Sequence, residues 1–176
     1  DGDFSRIIEH VIAGQIQAYA KPGSWTYDDA PFTPFEGPLS ESRLVLITST
    51  GHFVAGEDPE PFGIKNMTQD EAVRRIGDFI KAEPILTKIP IALSRDKLRV
   101  RHGGYDVRGV QADPNVAFPI DRLREFERDG VLGELLPEAY SFVGAAAQRR
   151  ILNHVGPKWV DLLKAQDVDA ALLVPV

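Results

Sequence analysis

Two short polar segments of this chain carry side chains that could do chemistry. Ser49-Thr50-Gly51-His52 follows a long apolar run, and His102-Gly103-Gly104-Tyr105-Asp106 follows a shorter run. Two imidazoles, a phenol and a carboxylate can perform acid/base catalysis, and the imidazoles and carboxylate can hold a divalent metal. Such residues also serve as loop caps that hydrogen-bond to the backbone, so their types leave a purely structural role open. The predicted catalytic residues are His52, His102, Tyr105 and Asp106.

The neighbouring small and polar residues predict a surface that a ligand can approach. Gly103 and Gly104 lack a Cβ atom, so their backbone can come close to a ligand, although the pair could equally form a turn. Asn115 lies in an Asp-Pro-Asn sequence that is typical of a turn with side-chain hydrogen bonds. The predicted substrate-binding residues are Ser49, Thr50, Gly51, Gly103, Gly104 and Asn115.

Three apolar runs are expected to position these segments. The run 43–49 and the run 168–176 are typical of strands buried on both faces, and 97–101 alternates like a strand nearer an edge. The carboxyl ends of parallel strands meet at one crevice, so we expect His52 and His102 to be neighbours. Basic residues on the middle run indicate a solvated edge strand that charge protects from aggregation. They are Arg95, Lys97, Arg99 and Arg101.

Helical signals lie between these strands. Thr68 with Glu71 forms a capping box at the start of a helix that extends to about Ala82, and Gly130 stops a helix that begins near Asp121. Two further helices are predicted, over about 144–153 and from Pro157 onward. The segments 50–67 and 102–119 are predicted loops. The order of elements predicts a three-layer α/β unit, Rossmann-like or flavodoxin-like, with a mainly parallel sheet.

The first 42 residues differ from the rest of the chain. Residues 4–20 have apolar residues at helical spacing, and residues 21–42 combine prolines with aromatic residues. The second part is too apolar for a free linker, so we expect an extended arm that wraps the domain or a neighbouring chain. The predicted organisation is therefore an N-terminal helix and arm over 1–42 and an α/β domain over 43–176.

Composition excludes several classes of function. The chain has 20 basic and 26 acidic residues, a net charge of −6, which disfavours general binding to nucleic acid. It has no apolar run of the ~20 residues that a membrane span needs and no visible signal peptide, so a cytoplasmic protein without membrane partners is expected. It contains no cysteine, which removes disulfides, thiolate metal sites and cysteine nucleophiles from these 176 residues.

Five segments in order resemble the selenoprotein B family of glycine, sarcosine, betaine and D-proline reductases. The resemblance covers about residues 43–176, and the first forty residues add nothing to it. Each segment alone is a weak signal, but five in the same order are fairly specific. The segments are Ile47–Phe53, His102–Asp106, Asp113–Arg124, Tyr140–Gly144 and Val168–Pro175.

The resemblance implies an oxidoreductase that reductively cleaves a C–N bond of a small amino-acid-like substrate. It implies a selenocysteine or cysteine just after Val176, while a partner subunit with a pyruvoyl group holds the substrate amine. No cofactor is expected in this chain itself, and no metal is expected in the site. In this scheme His102 acts as an acid/base, or holds the selenolate as an ion pair. Such subunits are expected to work as homo- or hetero-oligomers.

The sequence stops where the selenocysteine or cysteine motif would begin. A UGA codon read as stop, proteolytic cleavage, or residues that simply lie outside this chain would each account for this. The last strand is apolar enough to be central, so we expect another polypeptide to complete the fold, either a C-terminal fragment or a symmetry mate. The carboxyl end of this strand then places Val176 at the same crevice as His52 and His102.

Two other functions remain open from the residues alone. The missing nucleophile and the arm over 21–42 are compatible with a non-catalytic binding or assembly subunit. Alternatively, His52, His102 and Asp106 could support a metal-dependent hydrolase or lyase.

Overall fold

The structure, a computed structural model, describes residues 34–176. The helix predicted over 4–20 and the first part of the predicted arm, 21–33, lie outside the described residues. Residues Glu36–Val176 form one compact unit, to which the following description applies. The predicted division of the chain after residue 42 stays a prediction. Among residues 34–176, each helix is too short or too polar to cross a bilayer.

The described residues form seven strands and six α-helices. The strands are β1 (Arg43–Thr48), β2 (His52–Val54), β3 (Thr87–Pro90), β4 (Leu98–Val100), β5 (Glu134–Leu135), β6 (Glu138–Ser141) and β7 (Ala170–Val174). The helices are α1 (Gln69–Arg74), α2 (Ile76–Lys81), α3 (Arg108–Ala112), α4 (Ile120–Arg128), α5 (Gln148–Arg150) and α6 (Gly156–Lys164). A π-helical turn, Ile151–Val155, joins α5 to α6. Short 3₁₀ turns are Leu39–Glu41, Pro61–Gly63, Arg95–Lys97 and Pro114–Val116.

β1 is the central strand of a mostly parallel five-stranded sheet. It pairs in parallel with β7 along Leu44–Thr48. Because β7 occupies that side, the short parallel pairings of β1 with β5 and with β6 must both lie on its other side. β3 joins β6 in antiparallel orientation and forms the far edge. The mixed α/β fold and the mostly parallel sheet are therefore as predicted.

The apolar run of β1 is continuous because both faces of the sheet are covered. Leu44 and Leu46 pack in one cluster with Ile120 and Leu123 of α4. Val45 packs on the other face, in a cluster that includes Leu162 and Leu163 of α6. Alternate residues of a strand point to opposite faces, so two apolar layers require an uninterrupted apolar strand. Helices thus cover both faces of the sheet.

The prediction that the run 97–101 forms a strand of the main sheet was wrong. β4 does not join the main sheet; it pairs in antiparallel orientation with β2, and the two form a separate two-stranded sheet. β2 lies inside the predicted loop 50–67, and α3 lies inside the predicted loop 102–119. These elements are only three and five residues long, too short for a periodic pattern to emerge. β3, β5 and β6 were missed for the same reason.

The predicted helix ends agree with the structure better than the helix interiors. The hydroxyl of Thr68 accepts the Glu71 N–H, and Gly130, with a φ of +73°, follows the end of α4. Pro157 lies in the first turn of α6. The predicted helix 68–82 is interrupted at Arg75, which separates α1 from α2. The helix predicted from residue 144 begins only at Gln148.

Candidate functional site

The two predicted polar segments meet at the carboxyl end of β1. The Arg101 N–H donates to the Gly51 carbonyl at 3.0 Å, which extends the β2–β4 ladder by one step. The Tyr105 hydroxyl donates to the Thr50 carbonyl at 3.0 Å. The segments are neighbours because of antiparallel pairing between β2 and β4, not because two parallel strands end together as the sequence suggested.

A third segment, Phe142–Gly144 after β6, completes this junction. The Gly51 N–H donates to the Phe142 carbonyl at 2.8 Å, and the Gly144 N–H donates to the Ser49 carbonyl at 2.9 Å. Sequence reasoning assigned no function to this segment, although it belongs to one of the five matching motifs. Three loops from different parts of the chain therefore form one hydrogen-bonded floor.

His52 belongs to a buried polar cluster beneath this floor. Its backbone N–H donates to the Ser141 hydroxyl at 2.8 Å, and its Nδ1 forms a short contact with the Thr50 hydroxyl. Its ring stacks on Phe118, with centroids 5.2 Å apart. The side chain is 2% exposed, and burial lowers its pKa to about 4. His52 is therefore neutral at neutral pH, and its buried Nε2 has no hydrogen-bond partner among the described residues.

His102 lies between two backbone amides. Its Nδ1 faces the Gly104 N–H as acceptor at 2.9 Å, and its Nε2 faces the Gly144 N–H as acceptor at 3.1 Å. A neutral imidazole has a single acceptor nitrogen, and the Gly144 N–H already has the Ser49 carbonyl as acceptor. In the neutral ring only one of these two amide hydrogen bonds can therefore form at a time. Burial lowers the pKa of His102 to about 4, so the ring is neutral at neutral pH.

Tyr105 and Asp106 have different surroundings. Burial raises the pKa of the Tyr105 phenol to about 12, so it stays a hydrogen-bond donor, and its ring lies 4.8 Å from that of His102. Asp106 is exposed and pairs with Arg108. Hydrogen bonds from Arg108 lower the pKa of Asp106 to about 2. The structure thus brings Tyr105 into the junction and leaves Asp106 at the surface.

The predicted binding glycines are close-packed, and Asn115 lies in a helix cap. A Cβ atom at Gly51 would come within 2.2 Å of the Arg101 carbonyl oxygen, and one at Gly103 within 2.4 Å of the Ala72 carbonyl oxygen. These glycines allow backbone segments to touch each other. Asn115 accepts the Asp121 N–H at 3.1 Å at the start of α4. These contacts agree with the turn that is typical of the Asp-Pro-Asn sequence.

The end of β7 reaches the same junction. β7 runs parallel to β1, and the Val176 N–H donates to the Ser49 hydroxyl at 2.9 Å. Ser49 also connects to the His102 loop, because its carbonyl accepts the Gly144 N–H that lies against Nε2 of His102. The expectation that β7 is parallel to β1 is confirmed, and Val176 lies beside Ser49. The expectation that this strand is buried on both faces is wrong for the described residues, because β7 pairs with β1 alone and its middle residues are exposed.

Sequence reasoning missed a buried ion pair beside the site. Arg101 was assigned to a solvated edge, yet it is buried and forms two hydrogen bonds to the Asp58 carboxylate. Its guanidinium also donates to the Met67 carbonyl and lies over the Phe53 ring. The ion pair connects the long loop after β2 to the residue that precedes His102. Arg101 continues the alternation of Lys97 and Arg99, so the sequence pattern gave no sign of its burial.

A pocket opens next to this ion pair. Its cavity volume is about 90 Å³. Most of its walls are aromatic rings, prolines and aliphatic side chains, and the junction residues Gly51, His52 and Val143 form part of one wall. The remaining lining residues are Phe53, Pro59, Pro61, Phe62, Phe79, Ala82, Glu83, Pro84, Ile85, Thr87, Arg101 and Phe142. Because the lining comes from distant segments, no sequence pattern marked this pocket.

The described residues do not assemble a metal site. No group of three or more His, Asp or Glu side chains within residues 34–176 is arranged to hold a metal ion. Within the junction, the imidazoles of His52 and His102 contact protein groups, and Asp106 contacts Arg108 at the surface. The described geometry therefore offers no support for the metal-dependent alternative.

Comparison with known proteins identifies the family. The family model for the glycine/sarcosine/betaine reductase selenoprotein B family matches residues 86–176, just over half of the 176 residues. The chain belongs to this family. No solved structure gives a significant match to it.

Curated relatives in this family are subunits of reductase complexes. D-proline reductase subunit gamma of Acetoanaerobium sticklandii is 30% identical over 143 residues, which cover 81% of this chain and 52% of the relative. Glycine reductase complex component B subunit gamma of Symbiobacterium thermophilum is 26% identical, with 84% and 32% covered. Sarcosine reductase complex component B subunit beta of Peptoclostridium acidaminophilum is 27% identical, with 84% and 31% covered. The chain thus spans between a third and a half of these family members.

Proposed function

We propose that this chain is a component of a selenol- or thiol-dependent reductase that cleaves a C–N bond of a small amino-acid-like substrate. Family membership supports the reductase class. The observation that carries the proposal is the position of the last strand: Val176 is hydrogen-bonded to Ser49, at the junction that also contains His102. A nucleophile that follows Val176 in the polypeptide would lie beside this junction.

The chain's own residues would shape this site. The neutral His102 could accept a proton as a base or donate a hydrogen bond from its ring N–H to the reacting group, and His52 and Tyr105 would hold the surrounding loops. With a pKa of about 4, His102 is neutral at neutral pH. It could form an ion pair with a selenolate only if the negative charge of the selenolate raised this pKa. Asp106 pairs with Arg108 at the surface, so it has the least structural support among the proposed catalytic residues.

The reducing group must come from outside these 176 residues, which contain no cysteine. A selenol or thiol would supply the electron pair for the cleavage, and a pyruvoyl group on a partner subunit would hold the substrate amine. We also propose that the protein acts in the cytoplasm as part of an oligomer, as expected for a component of such complexes.

The decisive experiment expresses the gene with its native downstream sequence in cells supplied with radioactive selenium or excess cysteine. We expect an in-frame UGA or cysteine codon within a few positions after the codon for Val176. In the UGA case, the full-length protein should carry selenium. Absence of both codons would remove the redox mechanism. With the downstream sequence present, His102→Gln should slow amine release much more than His154→Gln, the control at an exposed position.

One observation favours the second function, a binding or assembly subunit. Within residues 34–176, β7 pairs with β1 alone, and its side chains Leu172 and Leu173 are 37% and 65% exposed. β7 itself, Ala170–Val174, contains neither a charge nor a proline, and Pro175 follows its last residue, whereas the opposite edge strand, β3, has Lys88 and Pro90. Charged residues and proline protect edge strands from pairing, so the β7 edge is the unprotected one.

Light scattering of the purified chain tests this second function. We expect association of the chain that Leu173→Lys weakens, because a charge on an edge strand opposes strand pairing. Val116→Lys is the matched control, since Val116 is 70% exposed in a 3₁₀ turn. A stable monomer at high concentration, unchanged by either substitution and with no affinity for a partner subunit, would exclude an assembly role for this edge.

A further inference from the structure

The pocket beside the junction has walls suited to an apolar group. Phe62 and Phe79 meet edge to face, with ring centroids 4.9 Å apart, and Phe53 and Phe142 line the same space. Aromatic rings contribute large apolar contact areas, and their faces attract cations. The cavity volume of about 90 Å³ restricts the ligand to a small group.

The charges around the pocket restrict the ligand further. Arg101 and Glu83 are the two charged residues among the described residues that line it. The two terminal nitrogens of the Arg101 guanidinium bond to Asp58 and the Met67 carbonyl, and its charge is balanced by Asp58, while its buried Nε has no hydrogen-bond partner among the described residues. The Glu83 carboxylate is 48% exposed and lies 3.7 Å from His154, which would neutralise it only when protonated. The available charge of the pocket is therefore negative.

Phe62 gives this wall a specific backbone constraint. Its φ is +59°, in the left-handed region that non-glycine residues rarely adopt, and its side chain is 42% exposed. Glu60 and Gly63 beside it also have positive φ values. A strained backbone that holds a half-exposed aromatic ring is more often found at ligand sites than elsewhere.

We propose that this pocket binds the apolar body of a small cationic amine and excludes anionic groups. A ligand with an alkyl chain or ring would fill the aromatic walls, and its ammonium group would lie near Glu83. Any carboxylate on the same ligand would have to remain outside the pocket. The inference rests on the proposed function only where it identifies this amine with the substrate of the reductase. Binding of the amine itself can be measured without the reductase reaction.

Ligand-detected NMR titration of the purified chain tests the proposal with three probes that share a phenyl ring and differ in charge. Benzylamine carries a positive charge, benzyl alcohol none, and benzoate a negative charge. We expect saturable binding in the order benzylamine, benzyl alcohol, benzoate, with glycine weakest because it lacks an apolar body. Glu83→Gln should weaken the binding of benzylamine about two- to five-fold and leave the binding of benzyl alcohol unchanged, as expected for the loss of a partly exposed charge.

Variants locate the binding in the pocket. Ala82→Phe fills the space, and Phe62→Ala removes one wall; each should weaken benzylamine at least ten-fold. Phe126→Ala is the control, because Phe126 is a half-exposed phenylalanine on α4, outside the pocket. Thermal unfolding of each variant verifies that it folds. Ala82→Phe reduces the volume of the pocket and Phe62→Ala enlarges it, so the two variants test its shape in opposite ways.

Three results would overturn the proposal. They are the absence of saturable benzylamine binding, benzoate binding as tight as benzylamine, and pocket variants that bind like the control. None of them depends on a selenol, so they would leave the proposed reductase function intact. Conversely, the absence of a UGA or cysteine codon after the codon for Val176 would contradict the reductase mechanism but not the binding of amines in this pocket.

Discussion

Arg101 and Asp58 form a bidentate ion pair in which each of the two terminal guanidinium nitrogens lies 2.8 Å from one carboxylate oxygen. The two side chains are only 5% and 12% exposed. Hydrogen bonding to Arg101 lowers the pKa of Asp58 below its usual value. Since Arg101 precedes His102 and Asp58 lies in the long loop after β2, this pair holds two walls of the site together.

Removal of one partner of this ion pair should destabilise the protein strongly. Asp58→Asn leaves a buried guanidinium without its counter-ion, so we expect the free energy of unfolding to fall by about 3 kcal/mol. Asp106→Asn breaks an Arg–Asp pair at the surface and should have little effect. Urea denaturation measures both variants. Similar losses in the two would show that burial does not determine the contribution of the Arg101–Asp58 pair.

The two buried histidines predict a loss of stability in mild acid. Their folded pKa values of about 4 lie below the ordinary unfolded value of about 6.5, so the unfolded chain binds more protons between these limits. Stability is therefore fully present above pH 6.5 and falls as the pH decreases toward 4. Each histidine should contribute a slope of roughly 1.4 kcal/mol per pH unit in the middle of this window.

Replacement of His102 by Asn should remove its part of that slope. Urea denaturation at intervals between pH 7 and pH 4 measures the free energy of unfolding, and His154→Asn serves as the matched exchange at an exposed histidine. If His102→Asn leaves the slope as steep as in the unmodified protein, then His102 is protonated in the folded state and the assigned neutral ring is wrong.

A comparison of Gly51 and Gly56 distinguishes two reasons for a glycine, a positive φ angle and a lack of space for a Cβ atom. Both have positive φ, +75° and +87°, so alanine is strained at either position by about 1–2 kcal/mol. At Gly51 the added Cβ would also come within 2.2 Å of the Arg101 carbonyl oxygen, whereas at Gly56 it would meet nothing within 4 Å. We expect Gly51→Ala to lower the melting temperature much more than Gly56→Ala. Equal shifts would mean that the backbone contact at Gly51 relaxes without loss.

The contact between Ser49 and Val176 should control the local mobility of the chain end. Ser49→Ala removes the acceptor of the Val176 N–H. We expect faster amide hydrogen exchange at Val176, with a change in global stability of about 1 kcal/mol or less. Ser94→Ala, which removes an exposed hydroxyl bonded to Asp96, is the control. Unchanged exchange at Val176 in Ser49→Ala would show that this hydrogen bond does not hold the segment in solution.

The sequence by itself determined the features that depend on local patterns. The uninterrupted apolar run from Leu44 to Ile47 correctly predicted a strand buried on both faces. The similar run in β7 lies at an exposed edge, so this pattern identifies a strand but does not fix its burial. Thr68, Gly130 and Pro157 mark helix ends, because each residue satisfies or prevents particular backbone hydrogen bonds nearby. The resemblance to the reductase family came from short motifs in order, which need no three-dimensional information.

Only the tertiary structure decided which distant residues meet and in what state. β2 and β4 are three residues each, so their antiparallel pairing, which places Thr50 beside Tyr105, leaves no periodic pattern in the sequence. Burial decided the chemistry: two histidines became neutral rings, and Arg101 became a buried ion pair. Burial is a property of everything packed around a side chain. For that reason, Arg101 and Arg99 resemble each other in the sequence, yet in the folded protein Arg101 is buried and Arg99 is exposed.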